Sequence, residues 1–154
     1  MGFVIVLHDT SSSNRLMSFI RTALAYRDKI DLIVLSRMTG GAAQYGVPDA
    51  CKLLYKEGVN LLVLQDLDDV LELFPNGKVY QFTMKQSKPL STIKNENIHS
   101  GALLLFSGSE TGFAENELLT NAEKIYPDGA MKELPPEACL ASFMFFVSVS
   151  KDNV

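Results

Sequence analysis

Asn14 and Arg21 stand seven positions apart, about two helical turns, so in a helix an amide and a guanidinium share one face and can act at one place. Gly108 and Gly112 bracket Glu110 directly after the apolar run Ala102 to Phe106. There the backbone can bend tightly or admit a ligand unobstructed by side chains, although two glycines also suit a plain turn. All four arginines, Arg15, Arg21, Arg27 and Arg37, fall between residues 15 and 37, where with Lys29 they face only Asp28 and Asp31. That leaves +3 in this stretch and −7 over the remainder of a chain of net charge −4, so an anion-binding patch and a solvated helix face are both open. Asp66, Asp68, Asp69 and Glu72 have the composition of a two-metal nuclease site, but they fit the solvated face of a capped helix better, and no bound metal is expected. His8 and His99 have no recognisable nucleophile partner in the sequence and read as structural.

The elements that must position these residues alternate between strand and helix. Phe3 to Leu7 is a short apolar strand ending at His8-Asp9, and Thr10 to Asn14 offers several caps for the helix that follows. Leu16, Phe19, Ile20 and Ala23 fall at i, i+3, i+4 and i+7 and face a core, while Asn14, Ser18 and Arg21 line another face. Asp31 to Ser36 is a second strand, and the glycine-containing stretch from Met38 to Gly46 is expected to be a mobile loop. Pro48 suits the first turn of a helix running to Gly58, a C-terminal cap, and Val59 to Leu64 follows as another buried strand. Asp66 caps a short helix to Phe74, and Lys78 to Thr83 is a strand; Ser87 to Ser100 has no assignable pattern. Five consecutive apolar residues from Ala102 to Phe106 indicate a strand covered on both faces, as in a parallel sheet, and the loop after such a strand is where these sheets bind ligands. Glu115 to Ala122 is expected to be helical, Lys124 to Tyr126 a brief strand, and a last helix starts near Pro135-Pro136-Glu137 and ends in the apolar Leu140 to Val149. The alternation implies an α/β fold, a mainly parallel sheet with helices on both faces.

With 154 residues, 47% of them hydrophobic and 21% charged, the chain has the size of one globular domain spanning 1–154. Cys51 and Cys139 lack metal-type spacing and read as reduced thiols, so a cytoplasmic protein is expected. The start has no basic leader, and the longest C-terminal apolar run falls short of a membrane span, so no membrane partner is expected. The first strand–helix turn lacks Gly-x-Gly-x-x-Gly and no Gly-x4-Gly-Lys-Ser/Thr occurs, which removes the usual support for dinucleotide binding and P-loop hydrolysis.

Three separated segments together resemble the SpoU/TrmH RNA methyltransferases of the SPOUT superfamily, in a minimal single-domain form. Phe3 to Ala23 resembles the first motif, a strand leading to an asparagine and then to Arg-Thr-Ala, here Asn14 and Arg21-Thr22-Ala23. Leu103 to Phe113 resembles the second, a strand ending in Gly-x-Glu and a later glycine–hydrophobic pair. Ile125-Tyr126-Pro127, followed by Ala138 to Met144, resembles the third.

The resemblance implies a SPOUT α/β knot, in which the C-terminal segment is tucked through a loop as a trefoil, and a homodimer across that region. It implies S-adenosylmethionine as cofactor, bound among Phe82-Thr83-Met84, Ser107 to Gly112 and Tyr126 to Glu137, with Thr83, Ser107, Gly108, Glu110, Gly112, Tyr126, Pro127 and Pro136 as contacts. The implied reaction is methyl transfer to a ribose 2′-hydroxyl of a structured RNA, tRNA before rRNA. Asn14 would position that hydroxyl, Arg21 would activate it or hold a phosphate, and Glu137 would stand in the third motif's catalytic place. Arg15, Arg27 and Arg37 would bind RNA. Pro135-Pro136-Glu137 replaces the Ser-Leu-Asn of the third motif, which motivates an alternative: a SPOUT-fold dimer that holds SAM or RNA without transferring methyl groups.

Overall fold

The computed structural model describes residues 2–94, 98 and 100–152; His99 lies outside the described residues. Seven strands form one sheet: β1 (Phe3–Thr10), β2 (Ile30–Met38), β3 (Asn60–Leu64), β4 (Val79–Phe82), β5 (Lys88–Pro89), β6 (Leu103–Ser107) and β7 (Glu123–Tyr126). Four α-helices accompany them: α1 (Ser13–Ala25), α2 (Val47–Glu57), α3 (Leu67–Leu73) and α4 (Pro136–Asp152). The strand order is β3-β2-β1-β6-β4-β7-β5, and every pairing is parallel. The period-2 alternation of each strand divides the core between two faces. Ile5, Leu7, Ile33, Leu35, Leu104 and Phe106 pack with Leu16, Phe19 and Ile20 of α1, Leu54 of α2 and Leu140 and Phe143 of α4. Val6, Val34, Leu103 and Leu105 turn the other way, onto Leu67 and Val70 of α3 and onto Phe113. The expected doubly covered parallel sheet is therefore present.

The first helix buries the four residues its periodicity marks, and Ser12 caps it by accepting a hydrogen bond from the Arg15 N–H at 3.3 Å. Asp66 caps α3 in a reciprocal box with Asp69, which is what the acidic run from Asp66 does structurally. Gly58 ends α2 in the left-handed conformation at φ 70°.

Three local expectations need correction. Residues 39–46 are not a loose loop: Ala42–Gly46 forms a π-helical turn that runs straight into α2, fixed by the Ala42 N–H donating to Ser11 O at 3.0 Å. Residues 115–122 make only the 3-10 turn Glu115–Glu117, because the buried Gln81 takes the backbone groups that a helix would pair internally: its Nε2 donates to Glu117 O at 2.9 Å and its Oε1 accepts from the Leu119 N–H at 3.0 Å. Strand β3 is not buried but forms the edge of the sheet, leaving Val63 45% exposed. The unassigned stretch supplies the short edge strand β5 and the 3-10 turn Leu90–Thr92.

Candidate functional site

Because all strands are parallel, the segments that follow them gather along one edge of the sheet. β1 and β6 are neighbours whose continuations go to opposite faces, β1 to α1 and β6 to Phe113 and the turn at 115–117. Such a switch point opens a crevice at the carboxyl edge. The crevice here has a volume of about 420 Å³ and is lined by Asp9, Ser11, Ser12 and Arg15 from the β1 side and Gly108, Ser109 and Glu110 from the β6 side. Arg15 donates through Nη1 to Gly108 O at 2.7 Å, with Nη2 3.9 Å from Glu110, so one arginine spans the crevice. Gly108 has no room for a larger residue: a Cβ there would lie 1.9 Å from Thr10 Oγ1, a buried hydroxyl without a hydrogen-bond partner.

On the other side of the Ser107–Gly112 loop, the ends of β6, β4 and β7 lie side by side. Thr83 is 2% exposed, and its N–H donates to Ile125 O at 3.1 Å. Ser107 Oγ accepts from the Ser109 N–H, while Lys85 Nζ donates to Phe113 O at 2.8 Å, tying the segment after β4 to the end of the β6 loop. Gly112, at φ 77°, lies against the Glu133 carboxylate: a Cβ would come within 2.4 Å of Oε1. Tyr126, buried, accepts from the Leu134 N–H at 2.6 Å, so the 127–135 loop folds back over the end of β7. A cavity of about 190 Å³ opens there, bounded by Met84, Tyr126 and Pro127 among others. Burial shifts the acids of this region towards their neutral forms, pushing up Glu133 against the pull of Lys85, raising Tyr126, and moving Cys139 to about 12. Pro136 is buried as the first residue of α4, and Oε2 of the adjacent Glu137 is buried with no hydrogen-bond partner. The structure thus brings Thr83, Ser107, Gly108, Gly112, Tyr126, Pro127, Pro136 and Glu137 to one region, with Glu110 exposed on its rim.

The arginines separate. Arg15 and Arg37 lie at the carboxyl edge, but Arg27 precedes β2, about 25 Å away along a strand of this length, and its Nη1 is 2.6 Å from Glu57. The single basic patch that the spacing suggested is therefore divided between opposite ends of the sheet. Asn14 is exposed in the first turn of α1, whereas Arg21 lies two turns further from that edge, exposed and without a hydrogen bond or ion pair to the described residues.

Sequence reasoning missed a charged cluster at the ends of β1 and β2. His8, wholly buried, lies between Ser36 Oγ (Nδ1, 2.8 Å) and Glu117 Oε2 (Nε2, 2.7 Å) and stacks on Phe113. An ionised carboxylate can only accept, which places an imidazole proton on Nε2, while the Ser36 hydroxyl can serve Nδ1 as donor or as acceptor. Arg37, held at φ 48°, bonds Glu117 at 3.0 Å and Asp66 at 2.8 Å, with Asp9 at 3.9 Å. Burial raises the Glu117 carboxyl, but the Ala114 N–H, His8 and Arg37 outweigh it and leave it below the ordinary glutamate range. Asp66 is held low chiefly by the Leu67 N–H, with help from Arg37. Although desolvation opposes it, attraction to Asp66 and Glu117 raises Arg37 above the ordinary arginine range. The parallel register His8↔Ser36 creates the first contact; Glu117, 109 positions from His8, has no local signal to announce it. Among the described residues no group of three or more His, Cys, Asp or Glu is arranged to hold a metal ion, and no helix is long and apolar enough to cross a membrane.

Comparison with known proteins gives a fold and a family under different names. A solved structure described as giving structural insights into the 2-OH methylation of C/U34 on tRNA matches with a TM-score of 0.77 and 17% identity, over 99% of this chain and 97% of that one. The SpoU methyltransferase AviRb of Streptomyces viridochromogenes matches with a TM-score of 0.69 and 10% identity, over 99% and 61%. At such identities these likenesses establish the fold, which is that of the SpoU methyltransferases. In sequence, the chain is 32% identical over 143 residues to a protein of Aeropyrum pernix provisionally named as the type II restriction enzyme ApeKORF2002P, covering 92% of this chain and 90% of that protein. It is 36% identical over 114 residues to a protein of Methanocaldococcus jannaschii provisionally named as the type II restriction enzyme MjaORF1200P, covering 74% and 76%. Residues 40–146 match the family described as RecB-family nuclease (DUF2122), and with these two relatives that match shows that the chain belongs to this family.

Proposed function

We propose that this chain is an S-adenosylmethionine-dependent RNA methyltransferase of the SpoU/TrmH kind, acting on a ribose 2′-hydroxyl of a structured RNA, with tRNA favoured over rRNA. The observation that carries the reading is end-to-end agreement of fold with a protein described in terms of tRNA 2-OH methylation, over 97% of that protein's length. The nuclease names find less support in the site. Metal-assisted phosphodiester hydrolysis needs carboxylates grouped around an ion, and the carboxylates that gather at this sheet edge, Asp9, Asp66 and Glu117, surround the guanidinium of Arg37 instead.

The cofactor fits the three converging loops. Oε2 of Glu137 is buried and lacks a donor, which a ligand carrying N–H or O–H groups would supply. Gly108 and Gly112 let the loop close on Thr10 and on Glu133, which holds its backbone beside the region where the cofactor would sit. In this reading Thr83, Ser107, Gly108, Glu110, Gly112, Tyr126, Pro127 and Pro136 hold the cofactor, which when bound supplies an electrophilic methyl group. Asn14 orients the acceptor hydroxyl, and Arg15 attracts the RNA backbone at the carboxyl edge, where Arg37 is already neutralised by Asp9, Asp66 and Glu117. Arg21, about 10 Å along α1 from Asn14, holds a phosphate or activates the hydroxyl in a site completed by a second copy. That homodimer has a candidate surface: α1 and α4 pack together, and α4 leaves Phe145 66% and Val149 40% exposed one turn apart.

The knot belongs to the same proposal. Strand β7 lies between β4 and β5, although β4 and β5 are already joined by the short link 83–87, so this link crosses the strand that enters later. Connections that cross in this way are rare, and threading of the later segment is the reading that the family resemblance favours.

Calorimetry with S-adenosylmethionine and S-adenosylhomocysteine tests the reading; no heat of binding at millimolar ligand, with the protein shown to be folded, would remove it. Arg21→Ala is expected to lower the methylation rate by roughly 10²-fold while leaving cofactor binding and thermal stability unchanged, and Arg21→Lys should not restore it fully. A rate for Arg21→Ala within about twofold of wild type refutes the role.

A further inference from the structure

The outer side of α2 and of the π-helical turn that leads into it carries two tyrosines that the core does not use. Tyr45 is 65% exposed and Tyr55 87%, whereas α2 buries only Ala50 and Leu54 against the body of the protein. Lys52, Tyr55 and Lys56 follow at i, i+3 and i+4 on one face, and Tyr45, seven residues before Lys52, continues the stripe by about two turns. Both lysines are exposed and make no ion pair with the described residues; the pair formed at this helix is that of Glu57 with Arg27 at its far end.

The stripe begins beside the crevice. The π-helical turn that carries Tyr45 is fixed to the head of α1: the Ala42 N–H donates to Ser11 O at 3.0 Å, and a Cβ on Gly46 would lie 3.3 Å from Ser13 Cα and 2.8 Å from Leu16 Cδ2. Ser11 lines the crevice at the β1–β6 switch point. From Tyr45 the stripe runs about 15 Å down the helix to Tyr55, towards Arg27. The ammonium groups of Lys52, between the two flat aromatic faces, and of Lys56, beside the second, outnumber the one carboxylate on the stripe, Asp49. Together with the rings they match a strand of unpaired nucleotides, whose bases stack on any aromatic ring and whose phosphates need cations at intervals. The charges distinguish this surface from an apolar docking face, and α1 separates it from the exposed apolar residues of α4.

We propose that this face of α2 and of the turn before it is a track for single-stranded RNA, formed by Tyr45, Lys52, Tyr55 and Lys56, which leads unpaired nucleotides into the crevice between β1 and β6. It rests on the RNA-modifying reading above. The chain has five tyrosines and no tryptophan, so its intrinsic fluorescence reports tyrosine directly.

The test is titration of the full chain with fluorescein-labelled oligouridylate and with an RNA duplex of the same length, at low salt, together with tyrosine quenching by the unlabelled oligouridylate. Wild type should bind the single strand more tightly than the duplex and lose tyrosine emission on binding. Tyr45→Ala with Tyr55→Ala should weaken single-strand binding about tenfold or more and abolish most of the quenching, whereas the corresponding Phe variants should retain the affinity. Lys52→Ala with Lys56→Ala should lower the salt dependence by roughly one to two counterions. If wild type takes up S-adenosylmethionine and methylates RNA while the Tyr→Ala protein binds oligouridylate like wild type, the track is refuted and the function stands. If wild type binds neither RNA, both readings fall. Phe variants as weak as the Ala variants, or a change in oligomeric mass on Tyr→Ala substitution, would also overturn the proposal, the latter by making this face a contact between copies.

Discussion

Glu117→Ala removes the acceptor on which three donors converge: His8 Nε2 at 2.7 Å, Arg37 Nη1 at 3.0 Å and the Ala114 N–H at 3.1 Å. The consequences differ by burial. His8 has no exposure to water, so its N–H is left unsatisfied in the interior, at about 1–3 kcal/mol. Arg37 is 39% exposed in its side chain and keeps Asp66, so its loss is about 0.5 kcal/mol, and the exposed Ala114 N–H adds a similar amount. The expected destabilisation is about 3 kcal/mol, which for a chain of this size lowers Tm by roughly 10 °C. The pH dependence follows from the sign of the shift. Glu117 has its folded pKa below the unfolded value, so its contribution is present above about pH 4.3 and disappears as pH falls through the folded pKa. Thermal melts of wild type and variant at neutral pH and at about pH 3 measure both effects. A Tm loss under about 2 °C at neutral pH, or a gap that widens on acidification, would refute the reasoning that this carboxylate pins the loop after β6 to the ends of β1 and β2.

Gly108→Ala should destabilise by about 2 kcal/mol and reduce binding at the crevice, because the new methyl group meets Thr10 Oγ1 and the Asp9 carbonyl; a melt indistinguishable from wild type contradicts that packing. Alkylation of the folded protein with iodoacetamide near pH 8 should modify the exposed Cys51 and spare Cys139, which is 3% exposed and whose thiol burial pushes up to about 12; mass spectrometry after proteolysis reads the two sites.

Repetitive local signals made much of this architecture readable. Leu16, Phe19, Ile20 and Ala23 marked the buried face of α1 by spacing, and the unbroken run from Ala102 to Phe106 marked β6 as a strand covered on both sides. Gly58 and Asp66 marked helix ends through conformations and caps specific to those residue types. What escaped depends on distant partners. The neighbours of Glu117 favour a helix, yet its side chain is held by His8 and Arg37 from two strands that only the sheet brings near. The glycines at 40, 41 and 46 suggested mobility, whereas Gly46 is small in order to pack on Leu16 and Ser13. Clustering of arginines in sequence failed as a guide to clustering in space, since β2 carries Arg37 the full height of the sheet away from Arg27.

The most direct test of the central proposal is incubation of the full chain with methyl-labelled S-adenosylmethionine and total RNA, followed by nucleoside analysis, beside a parallel incubation with duplex DNA and magnesium. Label recovered in a 2′-O-methylated nucleoside, with the DNA intact, is the expected result. Cleavage of the DNA with no label in the RNA would contradict it and uphold the nuclease name that the family bears.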